Sequence, residues 1–263
     1  MLRFAANLTM MYTELPFLER FAAAAADGFE GVEFLFPYDW PAETLEALLY
    51  QHELQQVLIN APPGDWIAGE RGIAALPGRQ TEFRSSFRLA CDYARTLRCS
   101  RIHVMAGIVP SNTPSEACWS VYRENLGWAA DHAAVEGIEV LVEPINARDM
   151  PGYVLRLQAE AHDLVTRLGR SNLKVQMDLY HTQITEADTV MLLGKYLGDP
   201  QSRVAHLQIA GVPNRHEPDE GDLDYPNVFH ALEELGYTGW VGCEYRPRAG
   251  TSEGLGWLRD YRR

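Results

Sequence analysis

The chain has no excess of positive charge, no paired cysteines and no long apolar run, and each absence removes a class of function. Lys and Arg total 23 against 36 Asp and Glu, a formal net charge of −13. Such a chain repels a phosphate backbone or an anionic membrane unless a local basic patch intervenes, and the sequence holds none. The four cysteines, Cys91, Cys99, Cys118 and Cys243, form no CxxC pair and no closely spaced framework. That scatter fits thiols kept reduced, not the staples of a small secreted domain. The N-terminal MLRFAANLTMMYTELPF is interrupted by Asn7 and Glu14 before it builds the apolar core of a signal peptide. No run reaches the roughly 20 apolar residues of a membrane-crossing helix. The expectation is a soluble, cytoplasmic protein whose partner is a small molecule rather than a nucleic acid or a membrane, with homo-oligomer formation left open.

Linkers and low-complexity tracts are also missing, so residues 1–263 read as one domain. A 46% hydrophobic chain buries a sizeable core, and a single α/β barrel runs to roughly 250 residues. Strand-like runs recur at 2–8, 31–36, 55–61, 101–107, 139–145, 173–179, 204–210 and 240–245. Between and after them lie segments with helical spacing at 14–27, 42–53, 81–98, 115–136, 155–169, 186–197, 226–235 and 254–262. Glycines close several helices just before the next strand, as in ADGFEGVEF, VEGIEVLV and LGYTGWVGCEY. Eight strands, each followed by a helix, predict a (β/α)8 TIM barrel, with an open doubly wound sheet as the competing topology. Two long loops, 62–80 and 211–226, follow strands and fall at the C-terminal rim, where barrel enzymes build their sites.

Acids stand at the strand ends. Glu143 closes the fifth strand and Asp178 the sixth; Gln208 lies on the seventh and Glu244 on the eighth, one βα unit apart each time. In a barrel these side chains converge. Any one of them alone reads best as a loop cap or an arginine partner. Carboxylates gathered without compensation cost several kcal/mol each, on the order of the desolvation penalty of an ion, and a divalent cation resolves the conflict. Hard oxygen donors point to Mg2+ or Mn2+. Around the same rim fall His181, His206, Arg215 and Asp149, the candidate substrate-binding residues. Arg215 suits an anionic group because guanidinium matches carboxylate geometry. His206 reads equally well as a hydrogen-bonded core residue. His216 and Glu217 read as a solvated loop pair, and Glu33 and His103 as internal hydrogen-bonding groups. Tyr12, Phe36, Tyr38 and Trp66 are available to wall a pocket mouth.

With these residues assembled, the chain resembles the hydroxypyruvate isomerase family of the xylose-isomerase-like barrels, which includes 2-oxo-tetronate isomerases and ketose 3-epimerases. The resemblance spans the chain through FAANLTMMYTELPFLERFAAAAADGFEGVEFLFPYD, EPINARDMPGY, QMDLYH, HLQIAGVPNRHEP and CEYRP. It implies Glu143, Asp178, Gln208 and Glu244 as metal ligands, with Glu143 and Glu244 as the catalytic acid/base pair. Gln208 stands where the epimerases carry histidine, which points to the hydroxypyruvate isomerase branch. Asn214 and Asp219 stand where that branch has glycines. The implied reaction interconverts a small 2-oxo-3-hydroxy acid and its isomer through an enediolate. Hydroxypyruvate to tartronate semialdehyde leads, with a 2-oxo-tetronate or a ketose 3-epimerisation as alternatives. A metal-dependent endonuclease on the same barrel is the outside alternative, opposed by the acidic charge.

Overall fold

The structure, a computed structural model, describes residues 1–186 and 188–261. Eight parallel strands close into one barrel in sequence order: β1 (Arg3–Asn7), β2 (Gly31–Phe34), β3 (Gln55–Asn60), β4 (Arg101–His103), β5 (Glu139–Val142), β6 (Leu173–Asp178), β7 (Val204–Ile209) and β8 (Trp240–Cys243). Pairing of β1 with β8 completes the ring, so the open-sheet alternative is excluded. The ring of helices comprises α1 (Arg20–Ala26), α2 (Ala42–Gln51), α3 (Gln80–Thr96), α4 (Ser115–Ala134), α5 (Gln158–Leu168), α6 (Leu179–Glu186), α7 (Thr189–Leu197), α8 (Tyr225–Glu234) and α9 (Thr251–Gly254).

The helices form where apolar residues repeat every three or four positions. In α3, Phe83, Phe87, Ala90, Cys91 and Ala94 make one buried stripe. Glycine stops α5: Gly169 takes a left-handed φ of 65°, a conformation that costs a side-chain-bearing residue more. One helix escapes the sequence pattern. The sixth strand was expected to run to 179 and its helix to begin at 186, yet α6 starts at Leu179. Asp178 explains the difference, because its Oδ1 accepts the backbone N–H of Tyr180 at 2.8 Å and so caps a helix that follows the strand with no loop. The last expected helix, 254–262, is the short α9 followed by a 3-10 turn over Leu255–Asp260; position 262 lies outside the described residues.

Strand side chains alternate between two environments. Phe4, Ala6, Val32, Phe34, Val140, Val142, Val175, Met177, Leu207, Ile209, Val241 and Cys243 belong to the large core shared with the helices. Ala5, Val57, Leu58, Leu141 and Trp240 form a separate small cluster, all but Val57 on the alternate positions. Above it sits a polar layer. The Glu33 carboxylate accepts Asn7 Nδ2 at 2.9 Å and Gln208 Nε2 at 2.7 Å, and lies 2.7 Å from His206 Nε2. Gln208 Oε1 in turn accepts Gln176 Nε2 at 2.6 Å. A buried carboxylate with these partners is satisfied, as the internal role expected for Glu33 requires.

Gly242 makes room for that carboxylate. A Cβ at this position would come within 2.4 Å of a Glu33 oxygen, which three neighbours hold in place. Gly242→Ala should therefore displace Glu33 and destabilise the fold by about 1–3 kcal/mol, the range for overpacking a well-filled interior. Urea unfolding should show a lower midpoint at unchanged slope, and an unchanged midpoint would mean that the layer can give way at no cost.

Candidate active site

The strand-end acids meet where the sequence places them. Glu143 directly follows β5, Asp178 ends β6 and Glu244 directly follows β8, and all three side chains are buried. Glu143, Glu244 and His181 face a cavity of about 450 Å³ at the C-terminal mouth, with Asn60, Trp66, His103, Asp149, Arg215 and Arg246 among its other lining residues. A wider depression of about 1160 Å³ lies at the opposite end, beside the starts of β1 and β3, and none of the strand-end acids lines it.

Electrostatics set the character of the floor. Burial raises the proton affinity of Glu143, and the nearby Glu244 and Asp178 charges raise it further. Burial likewise pushes Glu244 up to about 8 against the pull of Arg215. Asp178 is raised for the same reason, again with Arg215 opposing. One guanidinium thus faces three carboxylates. Arg215 Nη2 lies 2.5 Å from Glu244 and 3.4 Å from Asp178, reaching in from a backbone with φ of 58°. That left-handed turn is fixed at both ends: Arg215 N donates to Gly211 O at 2.8 Å, and Arg215 O accepts Arg246 N at 2.8 Å. Glu143 Oε1 has no hydrogen-bond partner among the described residues.

These residues fit a divalent cation. One atom each of Glu143, Asp178 and His181 lie within 4.8 Å of one another, so two of the strand-end acids are close enough to share an ion at roughly 2.0–2.2 Å from each ligand. The hydrogen bonds give His181 a different duty from the carboxylates. Asn146 Oδ1 accepts Asp149 N at 2.8 Å, which turns its Nδ2 toward His181 Nδ1, 2.6 Å away. Nδ1 is then an acceptor. Burial, with Arg215 next, holds the imidazole neutral, so its single proton sits on Nε2, 3.6 Å from Asp178 and 4.0 Å from Glu143. His181 thereby presents a donor to the cavity, and the carboxylates remain as the anionic donors for an ion.

The other expected site residues fall in different places. Gln208 is fully buried with its amide engaged by Gln176 and Glu33, so ligation would require Oε1 to leave the Gln176 bond. His206 lies in the polar layer against Glu33 and does not line the cavity. Asp149 is at the wall, accepting Tyr180 Oη at 2.7 Å and Arg148 Nε at 3.0 Å. Of the four aromatic residues, Trp66 lines the cavity, whereas Tyr12 is buried with its hydroxyl on Asp27. Glu217 corrects the expectation of a solvated pair. It is 2% exposed and accepts Arg248 Nε at 3.0 Å and the Arg248 backbone N–H, tying the loop after β7 to the loop after β8. Asp219 continues the clamp, accepting Arg248 Nη2 at 2.6 Å. His103 reads in the sequence as an internal hydrogen-bonding group, but neither ring nitrogen has a hydrogen-bond partner among the described residues, and the ring lines the cavity. The sequence pattern carries this strand on to 107 and so places His103 inside it, whereas the structure ends β4 at His103, at the mouth beside Glu143.

Comparison with known proteins agrees with this geometry. Residues 21–261 match the family model described as xylose isomerase-like TIM barrel. A 2-oxo-tetronate isomerase of Cupriavidus necator is 56% identical over 259 residues, covering 98% of each chain. Hydroxypyruvate isomerase of Escherichia coli is 44% identical over 262 residues, covering 100% of each. A crystal structure from Brucella melitensis, described as an AP endonuclease, family 2, superposes with a TM-score of 0.96 at 53% identity over 100% of both chains.

The raised carboxylates predict how stability varies with pH in metal-free protein. Between pH 6.5 and 8 an unfolded carboxylate has released its proton while the folded Glu244, at about 8, still holds one. The folded state then binds more protons, so stability falls as pH rises through that window. Unfolded histidine titrates below the window, near 6.5, so the lowered His103 and His181 act mainly at more acid pH. Urea midpoints in EDTA should drop from pH 6.5 to 8, and saturating Mn2+ should raise the pH 8 midpoint more than the pH 6.5 one. A flat profile in EDTA would show that the acids are compensated without an ion.

Proposed function

Because this chain belongs to the xylose isomerase-like TIM-barrel family and is an isomerase, we propose that it interconverts a small 2-oxo-3-hydroxy acid and its isomer through an enediolate. Hydroxypyruvate and a 2-oxo-tetronate are the candidate substrates, and Mg2+ or Mn2+ the cofactor. The observation that carries this reading is the pair Glu143 and Glu244, which reach one cavity from β5 and β8 with proton affinities that burial raises above the ordinary carboxylate range. A carboxylate more basic than usual takes a proton from carbon more readily and can return it.

The reaction moves one proton between adjacent carbons. One glutamate removes the proton from C3 and the electrons pass into the C2 carbonyl to give the enediolate; the O3 proton passes to O2 and a proton delivered to C2 leaves the carbonyl on C3. Glu143, Asp178 and Glu244 would hold the cation, which when bound polarises the two vicinal oxygens and stabilises the enediolate charge. Gln208 is the fourth ligand if its carbonyl turns from Gln176. His181 Nε2–H donates to a substrate oxygen, and Asp149, through Asn146, keeps the ring oriented. His206 holds Glu33 and so the layer on which the floor rests. Arg215 beside Glu244 favours its ionised form and so limits the rise that burial causes, and the substrate carboxylate lies against the Arg215 and Arg246 wall. Arg246 is exposed at the mouth, and its side chain makes no hydrogen bond or ion pair among the described residues.

The nuclease description of the Brucella relative suggests a second reading, but a formal charge of −13 and a cavity of about 450 Å³ suit a small acid better than a phosphodiester duplex. The direct experiment is a panel of hydroxypyruvate, 2-oxo-tetronates, free ketoses and abasic DNA, assayed with Mn2+ and after chelation. Turnover of an oxo acid that chelation abolishes is expected; cleavage of DNA in its place would overturn the reading. Glu143→Gln and Glu244→Gln should each retain Mn2+ while losing at least about 100-fold in turnover, the lower scale of acid/base catalysis. Asp178→Asn should recover in part at high Mn2+. Initial rates against Mn2+ separate the cases, since full recovery of either glutamine variant would leave both acids as ligands only.

A further inference from the structure

Beneath the mouth, one wall of the cavity holds polar groups that the proposed reaction does not use. Asn60 ends β3 and His103 ends β4, directly paired in the sheet. They are 3% and 1% exposed, and both line the cavity. Asn60 Oδ1, His103 Nδ1 and His103 Nε2 have no hydrogen-bond partner among the described residues. His103 Nε2 lies 3.5 Å from Glu143 but forms no hydrogen bond with it. Leaving a buried polar atom unpaired costs roughly 1–3 kcal/mol, so three such atoms on one wall are a standing cost unless a ligand satisfies them.

The barrel order places this wall. In a closed ring of eight, β3 stands opposite β7 and β4 opposite β8. Arg215 follows β7 and Arg246 follows β8, so the polar wall faces the arginine wall across the acid floor. A 2-oxo acid with its carboxylate at the arginines and C2 and C3 over the acids directs the substituent on C3 at Asn60 and His103. In hydroxypyruvate that substituent is hydrogen. In a 2-oxo-tetronate it is a hydroxymethyl group, whose hydroxyl both donates and accepts. A neutral imidazole offers one donor and one acceptor, and the amide offers both, so the pair complements a hydroxyl.

We propose that Asn60 and His103 form a hydroxyl-recognition subsite that selects a four-carbon 2-oxo acid carrying a C4 hydroxyl over the three-carbon acid. The assignment rests on the isomerase reading above. A site built to hydrogen-bond a substrate hydroxyl discriminates against the analogue without it, because its own buried groups then stay unpaired.

The test compares kcat/KM for hydroxypyruvate and for both enantiomers of 3,4-dihydroxy-2-oxobutanoate, using full-length protein with Mn2+. Wild type should prefer one four-carbon enantiomer by at least about tenfold. Asn60→Ala and His103→Leu should each cut that preference about tenfold or more, and His103→Gln, which keeps a donor and an acceptor, should restore part of it. Equal proportional losses on both substrates would overturn the proposal, since His103 would then be acting through Glu143. A parallel arm needs no turnover: thermal shifts of wild type and Asn60→Ala with glycerate and with 2,3,4-trihydroxybutanoate. Greater protection by the four-carbon acid, lost in Asn60→Ala, supports the subsite even if neither oxo acid reacts, an outcome that would sink the isomerase reading alone. Equal protection by the two acids overturns the subsite.

Discussion

The repulsion among three buried carboxylates is the constraint from which the rest of the site follows. Glu143, Asp178 and Glu244 project from β5, β6 and β8 into one low-dielectric end of the barrel, and burial alone raises the proton affinity of each. Such a cluster persists only with positive charge beside it. Arg215 supplies part, and the arrangement has room for more. The same cost that makes the cluster unfavourable makes its members stronger bases than ordinary carboxylates, which suits them to proton transfer.

Arg215 could not reach the acids from an ordinary loop. Its φ of 58° aims the side chain back over the barrel, and the strain is held by neighbours on both sides. Gly211 and Arg246 bond its backbone, and Glu217, buried under the loop, locks onto Arg248 from the following strand's loop. The clamp joins the two loops that carry the arginine wall. Below it, Glu33, His206, Gln208 and Gln176 form a hydrogen-bonded polar layer, and Gly242 leaves the space for the Glu33 carboxylate. Polar residues in the barrel interior therefore serve two ends. Glu33 and Gln208, engaged by their neighbours, support the floor, whereas Asn60 and His103 face the cavity with polar atoms that have no hydrogen-bond partner among the described residues.

Sequence by itself determined the number, order and type of the main elements, because each strand is a short apolar run and each helix an amphipathic one, and both patterns are local. It determined the strand-end acids as well, since a carboxylate at the end of a buried strand breaks the apolar pattern visibly. Tertiary structure decided what each polar residue does. His206 looks like a site residue in the sequence, yet Glu33 of β2, distant in the chain, engages it in the layer below the cavity, and the Gln208 amide is held there by Glu33 and by Gln176 of β6. His103 looks internal, yet neither of its ring nitrogens has a hydrogen-bond partner among the described residues. Glu217 looks solvated, yet Arg248, 31 residues on, covers it. Even α6 followed from a capping bond that Asp178 makes across the strand end. Periodicity reports which face of an element is buried, whereas the role of a buried polar group depends on which atoms lie within about 3 Å of it, and only the closed barrel brings those atoms together.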